Sequence, residues 1–198
     1  GEAAITHILI DPLSDKNNRT LYACAFGKGV YKSTDGGKTW QQKNKGIEGK
    51  EPFAWRITRR EKDGVLFLVV CRRSEDGSIG NEGDGAETWK KMLLPQETNG
   101  PMSLVVDSDN PEKLLLSAWG RKTKNEFTPD IGGGIFISKD EGKSWIPVLK
   151  DDQHIHDITY DPRIKTYYAC GFNNAAYRSD DGGETWQRIT GYDFKWGK

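Results

Sequence analysis

Two aspartates and a small set of planar and cationic side chains are the residues of this chain best suited to chemistry. Asp157 directly follows His156, and Asp130 lies in the stretch PDIGGG (129–134). Cleavage of a glycosidic bond needs two carboxyl groups, about 5–5.5 Å apart for retention or about 6.5–9.5 Å for inversion. Asp157 is the stronger single candidate. Asp130, Glu126 and Glu51 are loop acids that could partner it, and no spacing selects one pair. Binding the same ligand without turnover needs less. The indoles of Trp55 and Trp119 offer flat apolar faces suited to sugar rings. Arg56, Arg72, Arg73 and Arg121 could each clamp a carboxylate through two parallel hydrogen bonds. Together with His7, His156 and Lys122 they would suit a saccharide, acidic ones included. For His156 and Asp157 the competing reading is a pairing with each other or with turn backbone.

Other chemistries find no support. There is no G-x-S-x-G, H-E-x-x-H, P-loop or dinucleotide fingerprint. GSIGNEGDG (77–85) approaches a phosphate loop only in its glycine count, and NEGDGAE (81–87) lacks EF-hand spacing. No cofactor and no metal site is expected. The 3 cysteines are an odd number, which disfavours a disulfide framework. Cys24, Cys71 and Cys170, with Ser117, read instead as one small-residue slot that recurs along the chain. The formal net charge is zero, so nothing points to nucleic acid. The longest apolar run, VLFLVV (65–70), is too short to cross a bilayer. The opening GEAAITH lacks methionine, as expected of a processed or trimmed chain. The residues fix no compartment, and a secreted or periplasmic setting is the expectation.

The elements that must position these residues are repeats. Tryptophan closes STDGGKTW (33–40), SKDEGKSW (138–145) and SDDGGETW (179–186). A worn copy, EGDGAETW (82–89), has Glu82 where serine stands elsewhere. The four tryptophans, Trp40, Trp89, Trp145 and Trp186, are spaced by 49, 56 and 41 residues. Residues 21–40 align without a gap to 167–186, and ITHILIDP (5–12) matches IHDITYDP (155–162). Alternation of apolar and polar residues dominates, and no helical period survives. Each repeat therefore reads as four short antiparallel strands, at 5–10, 20–26, 29–33 and 38–43 in the first. Such a repeat is the signature of a propeller blade.

Within the octapeptide, Asp35 is expected to bond backbone N–H groups of its own turn. Gly36 and Gly37 supply positive φ. Ser33 and Thr39 are expected to bond across the hairpin base, and Trp40 to wedge against the next blade. Ser138, Asp140, Gly142 and Trp145, then Ser179, Asp181, Gly183 and Trp186, repeat the set, and Asp84 and Trp89 remain in the worn copy. All are read as structural.

These motifs resemble the Asp-box, or bacterial neuraminidase repeat, S-x-D-x-G-x-T-W. Two copies match at every defined position, and the copy at 138–145 has Ser144 in place of threonine. The cadence looks most like xyloglucanase-type glycoside hydrolases and sortilin-type propellers. The resemblance implies an all-β propeller with blades at 5–46, 53–94, 101–150 and 155–191, and residues 192–198 beginning a further, cut-off blade. It implies ligand binding on the face opposite the Asp-boxes, where strand two meets strand three and strand four meets the next strand one. The starts of the first strands (His7, Trp55-Arg56, Ser103 and His156-Asp157) and the insert WGRKTKNEFTPDIGGG (119–134) fall there. A sialidase is disfavoured, because WRITRR (55–60) has Thr58 where that family's F-R-I-P stretch has proline. Three roles remain: glycoside-hydrolase-like binding of a glycan, noncatalytic recognition of a peptide or protein, and a scaffold that completes a larger propeller. Four blades read as a partial or half propeller, which predicts self-association or a complementary fragment as partner.

Overall fold

The computed structural model describes residues 2–73, 76–123, 129–150, 152–172 and 175–190. The expected further blade at 192–198 and Glu126 lie outside the described residues. Among those described there is no helix, and sixteen strands form four antiparallel sheets of four. Each sheet runs in sequence order, as a blade does. Blade one comprises β1 (Ile5–Ile10), β2 (Leu21–Ala25), β3 (Gly29–Ser33) and β4 (Gln41–Gln42). Blade two comprises β5 (Ala54–Arg59), β6 (Leu66–Val70), β7 (Ser78–Glu82) and β8 (Lys90–Lys91). Blade three comprises β9 (Pro101–Val106), β10 (Leu114–Ala118), β11 (Gly134–Ser138) and β12 (Ile146–Leu149). Blade four comprises β13 (Ile155–Asp161), β14 (Thr166–Gly171), β15 (Ala175–Ser179) and β16 (Gln187–Arg188). The chain divides into two compact units, Gly1–Leu94 and Pro95–Lys198, each holding two blades.

The core of each unit lies between its two blades. In the first, Tyr22, Cys24 and Val30 of blade one pack with Ile57, Leu66 and Leu68 of blade two. In the second, Leu115, Ile135 and Ile137 of blade three pack with Ile155, Ile158 and Tyr167 of blade four. Alternation puts one side chain in two on each sheet face. Because both faces of the middle strands are covered, they read as runs, and all five residues of β6, β10 and β11 are buried.

The octapeptide is the turn between strands three and four, and its hydrogen bonds differ from the expected ones. Ser33 and Thr39 do not bond each other across the hairpin. Both converge on Asp35, Ser33 Oγ donating to Oδ1 at 2.7 Å and Thr39 Oγ1 to Oδ2 at 2.6 Å. Thr39 N–H donates to Oδ1 at 2.9 Å, and Gly37 N–H to Ser33 Oγ at 2.9 Å. The same bonds join Ser138, Asp140, Gly142 and Ser144, and again Ser179, Asp181, Gly183 and Thr185. The turn thus consumes the residues expected to begin strand four, which starts only after the tryptophan.

Two of the tryptophans bond within their own turns, and Trp186 also packs on the core of blades three and four. The indole N–H groups of Trp40 and Trp186 donate to Gly37 O and Gly183 O of their own turns, at 3.0 and 3.1 Å. In the worn copy the ring does cross over: Trp89 is buried and its Nε1–H donates to Lys43 O of the preceding blade at 2.9 Å. Strand register also corrects the small-residue slot. Cys24, Ser117 and Cys170 face His7, Ser103 and Asp157, whereas Val69 is the residue that faces Arg56. Cys71 lies two residues further on, beyond β6.

The worn copy carries a testable cost. Glu82 is buried, its Oε2 accepts from Asp84 N–H at 2.7 Å, and its Oε1 has no hydrogen-bond partner among the described residues. Burial pushes its carboxyl above the ordinary range. A raised folded pKa favours the protonated state, so the penalty is absent below about pH 4 and appears as pH rises. Glu82→Ser restores the hydroxyl of the other turns and is expected to stabilise the fold by about 1 kcal/mol at neutral pH. Denaturant titrations across pH should show that gain shrinking toward pH 4.

Candidate functional site

In all four blades the first strand carries a bulge at the same place. Register shifts fall between Ile5 and His7, between Ala54 and Arg56, opposite Ser117/Ala118 in β9, and between Ile155 and Asp157. The extra residues are Thr6, Trp55, Met102 and His156. A bulge re-aims its side chain out of the alternation. At the same end of each blade, the residue after strand two donates its N–H to the chain entering strand one. Phe26 bonds Ala4 O, Cys71 bonds Phe53 O, Trp119 bonds Gly100 O and Phe172 bonds His154 O, at 2.7–3.0 Å. The bulge and this slot together gather side chains from both strands.

In the second unit they gather an aromatic and imidazole cluster. The Trp119 ring centroid lies 4.6 Å from His154, 5.0 Å from His156 and 5.1 Å from Phe172, mostly edge to face. Phe172 is exposed. The long insert begins and ends as a small hairpin, with Arg121 and Ile131 exchanging backbone hydrogen bonds at 2.9 and 3.0 Å. That places Asp130 beside the cluster, where Oδ2 meets His154 Nε2 at 2.9 Å and Oδ1 meets Lys122 Nζ at 2.9 Å. The Lys122 ammonium, aided by His154, holds the Asp130 carboxyl below the usual carboxylate range. Asp130 is therefore ionised at neutral pH. The Arg121 Nε atom is buried with no hydrogen-bond partner among the described residues.

Asp130 also borders a cleft of ≈390 Å³, lined with Glu97, Ile131, Trp145, Lys150 and Gln153. A volume of that order suits a small ligand. Glu97, a second carboxylate in the cleft, has no signal in the sequence, and Trp145 reads there only as a turn residue. Asp157 does not line this cleft. Its Oδ1 accepts from the N–H of Ile158 at 3.0 Å, a bond to backbone like the one that competes with a catalytic role. Among the described residues, no three His, Cys, Asp or Glu side chains gather as a metal site.

The first unit repeats the arrangement with different chemistry. Phe26 lies 4.7 Å from Phe53 and 6.2 Å from Trp55, and the Arg73 guanidinium sits 6.0 Å from the Phe26 ring. The Trp55 indole N–H is buried without a hydrogen-bond partner among the described residues. Arg56 lies beside it on β5, and Arg72 follows β6. His7 is turned to a structural task, its Nδ1 accepting from Ile57 N–H of blade two at 3.4 Å. Ser103 does the same in the other unit, its Oγ accepting from Ile158 N–H at 3.1 Å.

Comparison with known proteins supports the fold. The BNR/Asp-box repeat matches residues 31–42 and 177–188. The vacuolar protein sorting/targeting protein 10 of Eremothecium gossypii is 32% identical over 90 residues, covering 44% of this chain and 6% of that protein. Among solved structures, an ancestral GH74 enzyme superposes with TM-score 0.72 at 22% identity, over 96% of this chain and 24% of that one. The GH74 xyloglucanase of Xanthomonas campestris gives TM-score 0.63 at 17% identity, over 92% of this chain and 30% of that one. YCF48 bound to D1 peptide gives 0.63 at 15% identity, over 94% of this chain and 53% of that one. The four sheets are blades of the Asp-box β-propeller fold, a number that fits a partial propeller. The chain spans between about a twentieth and about half the length of these proteins.

Proposed function

We propose that this chain is a glycan-recognising propeller module, with the sugar seated in the cleft bordered by Asp130 and Trp145. The observation that carries the reading is the position of Asp130. One ionised carboxylate touches the Trp119–His154 cluster and also borders a cleft that contains the Trp145 indole. Aromatic faces take the apolar side of a sugar ring, and a fixed carboxylate accepts its hydroxyl hydrogens. The fold shared with GH74 enzymes adds to this reading. Turnover would need a protonated acid as well as a base; Asp130, held ionised, suits only the base or nucleophile, and Glu97 is the other carboxylate of the cleft. Recognition asks only for stacking and accepting groups and is the reading taken, with Asp157 outside the cleft.

The expected result is saturable binding of xyloglucan-type oligosaccharides in calorimetry, weakened about tenfold or more in Trp145→Ala, the scale expected for loss of one stacking face. Asp130→Asn should weaken it too, and Phe26→Ala should not. No binding by the intact chain, or binding indifferent to Trp145→Ala, defeats the proposal. Hydrolysis that is lost in Asp130→Asn or Asp157→Asn would reinstate the enzyme reading. A second reading, peptide recognition, rests on the Phe26–Phe53–Trp55 group with Arg73 in the first unit and on the similarity to YCF48, whose structure holds a D1 peptide. Phe26→Ala separates the two, since it should weaken peptide binding alone.

A further inference from the structure

Blades that share a unit show how one blade covers the next. Strand register makes Ile5 equivalent to Ala54 and Ile155, and Ile8 equivalent to Ile57 and Ile158. In blades two and four these positions are buried, at 0–4% exposure, within the cores that each forms with its predecessor. In blade one the same two positions, together with Ile10, are 54–55% exposed. These three isoleucines lie along a single face of β1, because the bulge at Thr6 brings Ile5 into phase with Ile8 and Ile10. A sheet face of this kind is a ready surface for another sheet.

The covering face shows the complementary pattern at the other end of the chain. Cys24, which faces blade two, and Ser117, which faces blade four, are fully buried. Cys170 occupies the same register position in blade four and is exposed. Asp157 there takes the slot of His7 and Ser103, whose side chains accept the Ile57 and Ile158 N–H groups of the covered blade.

Charge selects the occupant. Between blades three and four, Lys139 at the second position of one Asp-box pairs with Glu184 at the sixth position of the next, at 2.6 Å. The same two positions hold Lys38 in blade one and, in blade four, Asp180, which its own Arg178 also engages at 2.8 Å and which would have to share its carboxylate. The signs are exchanged and the match is kept. We infer that blade four of one copy of this chain docks on blade one of a second copy, head to tail, in the manner of neighbouring blades. Apolar burial at Ile5, Ile8 and Ile10 supplies the attraction. The Asp180–Lys38 pair, exposed at the rim, sets orientation more than strength.

Sedimentation velocity over a wide concentration range tests this. The intact chain is expected to move from 22.3 kDa toward multiples of it as concentration rises. Ile8→Asp places a charge on an exposed residue, so the fold should survive, with an unchanged thermal transition. The association should weaken about tenfold or more, as for loss of a central apolar contact. Lys38→Glu should weaken it less, and Lys38→Glu combined with Asp180→Lys should recover it. A chain that stays monomeric throughout overturns the inference. So does association that ignores Ile8→Asp, or a charge exchange that restores nothing.

Discussion

Tyr167→Ala is expected to destabilise the fold by about 3–5 kcal/mol, a loss at the upper end for a single core side chain. Tyr167 is fully buried within the core of blades three and four. Its ring stacks on Tyr160 at 4.3 Å, meets Trp186 at 6.5 Å, and lies under the Lys113 ammonium at 5.3 Å. Burial, then the neighbouring Asp107 carboxylate, pushes the hydroxyl upward, so it stays neutral at every working pH. Truncation removes one of the largest buried volumes between two sheets held rigid by their own ladders, so the void cannot collapse. Leucine occupies the equivalent position in the other blades, at Leu21, Leu66 and Leu114. Tyr167→Leu should therefore cost roughly 1–2 kcal/mol, and Tyr168→Ala on the other face of β14 still less. Guanidinium titration of the three variants checks the order. Equal losses for Tyr167→Ala and Tyr168→Ala would contradict the assigned core.

The fold is legible in the sequence because its signal is repeated and local. Ser33, Asp35, Gly37 and Thr39 lie within seven residues, and their bonds close without help from the rest of the chain. A motif of that kind survives in sequence wherever the turn does. The limits of that reading come from the same physics. Strand four begins later than alternation in the letters predicts, because Asp35 holds those residues as turn. The Trp40 indole N–H is held by its own turn, where Gly37, at positive φ, presents its carbonyl.

The site is legible in part. The insert at 119–134 stands out by length; Trp119 meets His154 and His156, and Asp130 meets His154. His154 and Phe172 carry no comparable signal of their own. Their approach depends on backbone pairing, His154 bridging Trp119 and the Phe172 N–H bonding His154 O at 2.8 Å, which leaves no mark on residue type. Phe26 and Phe172 occupy one register in the gapless alignment of 21–40 with 167–186, and that shared register is the signal that could find them. The displacement of Cys71 from its expected slot has the same origin. Its flanking letters resemble those of Cys24, but the backbone bond to Phe53 O aligns it with Phe26. Glu97 has no sequence signal at all, since the Thr98 hydroxyl holds that segment to Gly132 O at 2.9 Å only in the folded chain.

The three intact Asp-boxes together predict a steep acid transition. In Asp35 the bond from the Thr39 hydroxyl, then that from its N–H, pulls the carboxyl far below the ordinary value. Asp140 is lowered to about 2 by the hydroxyl and N–H of Ser144. Asp181 also falls to about 2: burial opposes the shift, and the bonds from Thr185 outweigh it. In an unfolded chain each would titrate near ~3.9. A depressed folded pKa contributes stability that is present above about pH 4 and is lost as pH falls toward 2, because the unfolded chain then binds protons that the native turns refuse. Three such groups act in the same window. The native chain should therefore lose stability sharply between about pH 4 and pH 2, with up to three protons taken up on unfolding. Asp35→Asn, Asp140→Asn and Asp181→Asn combined should start from a lower stability at pH 7, since an amide cannot accept the hydroxyl and amide hydrogens on both atoms. Its stability should then vary less with pH across that range. Denaturant midpoints measured for both proteins from pH 7 to pH 2 decide it. Parallel profiles would mean that the acid sensitivity resides elsewhere and that the aspartates hold their turns by shape more than by charge.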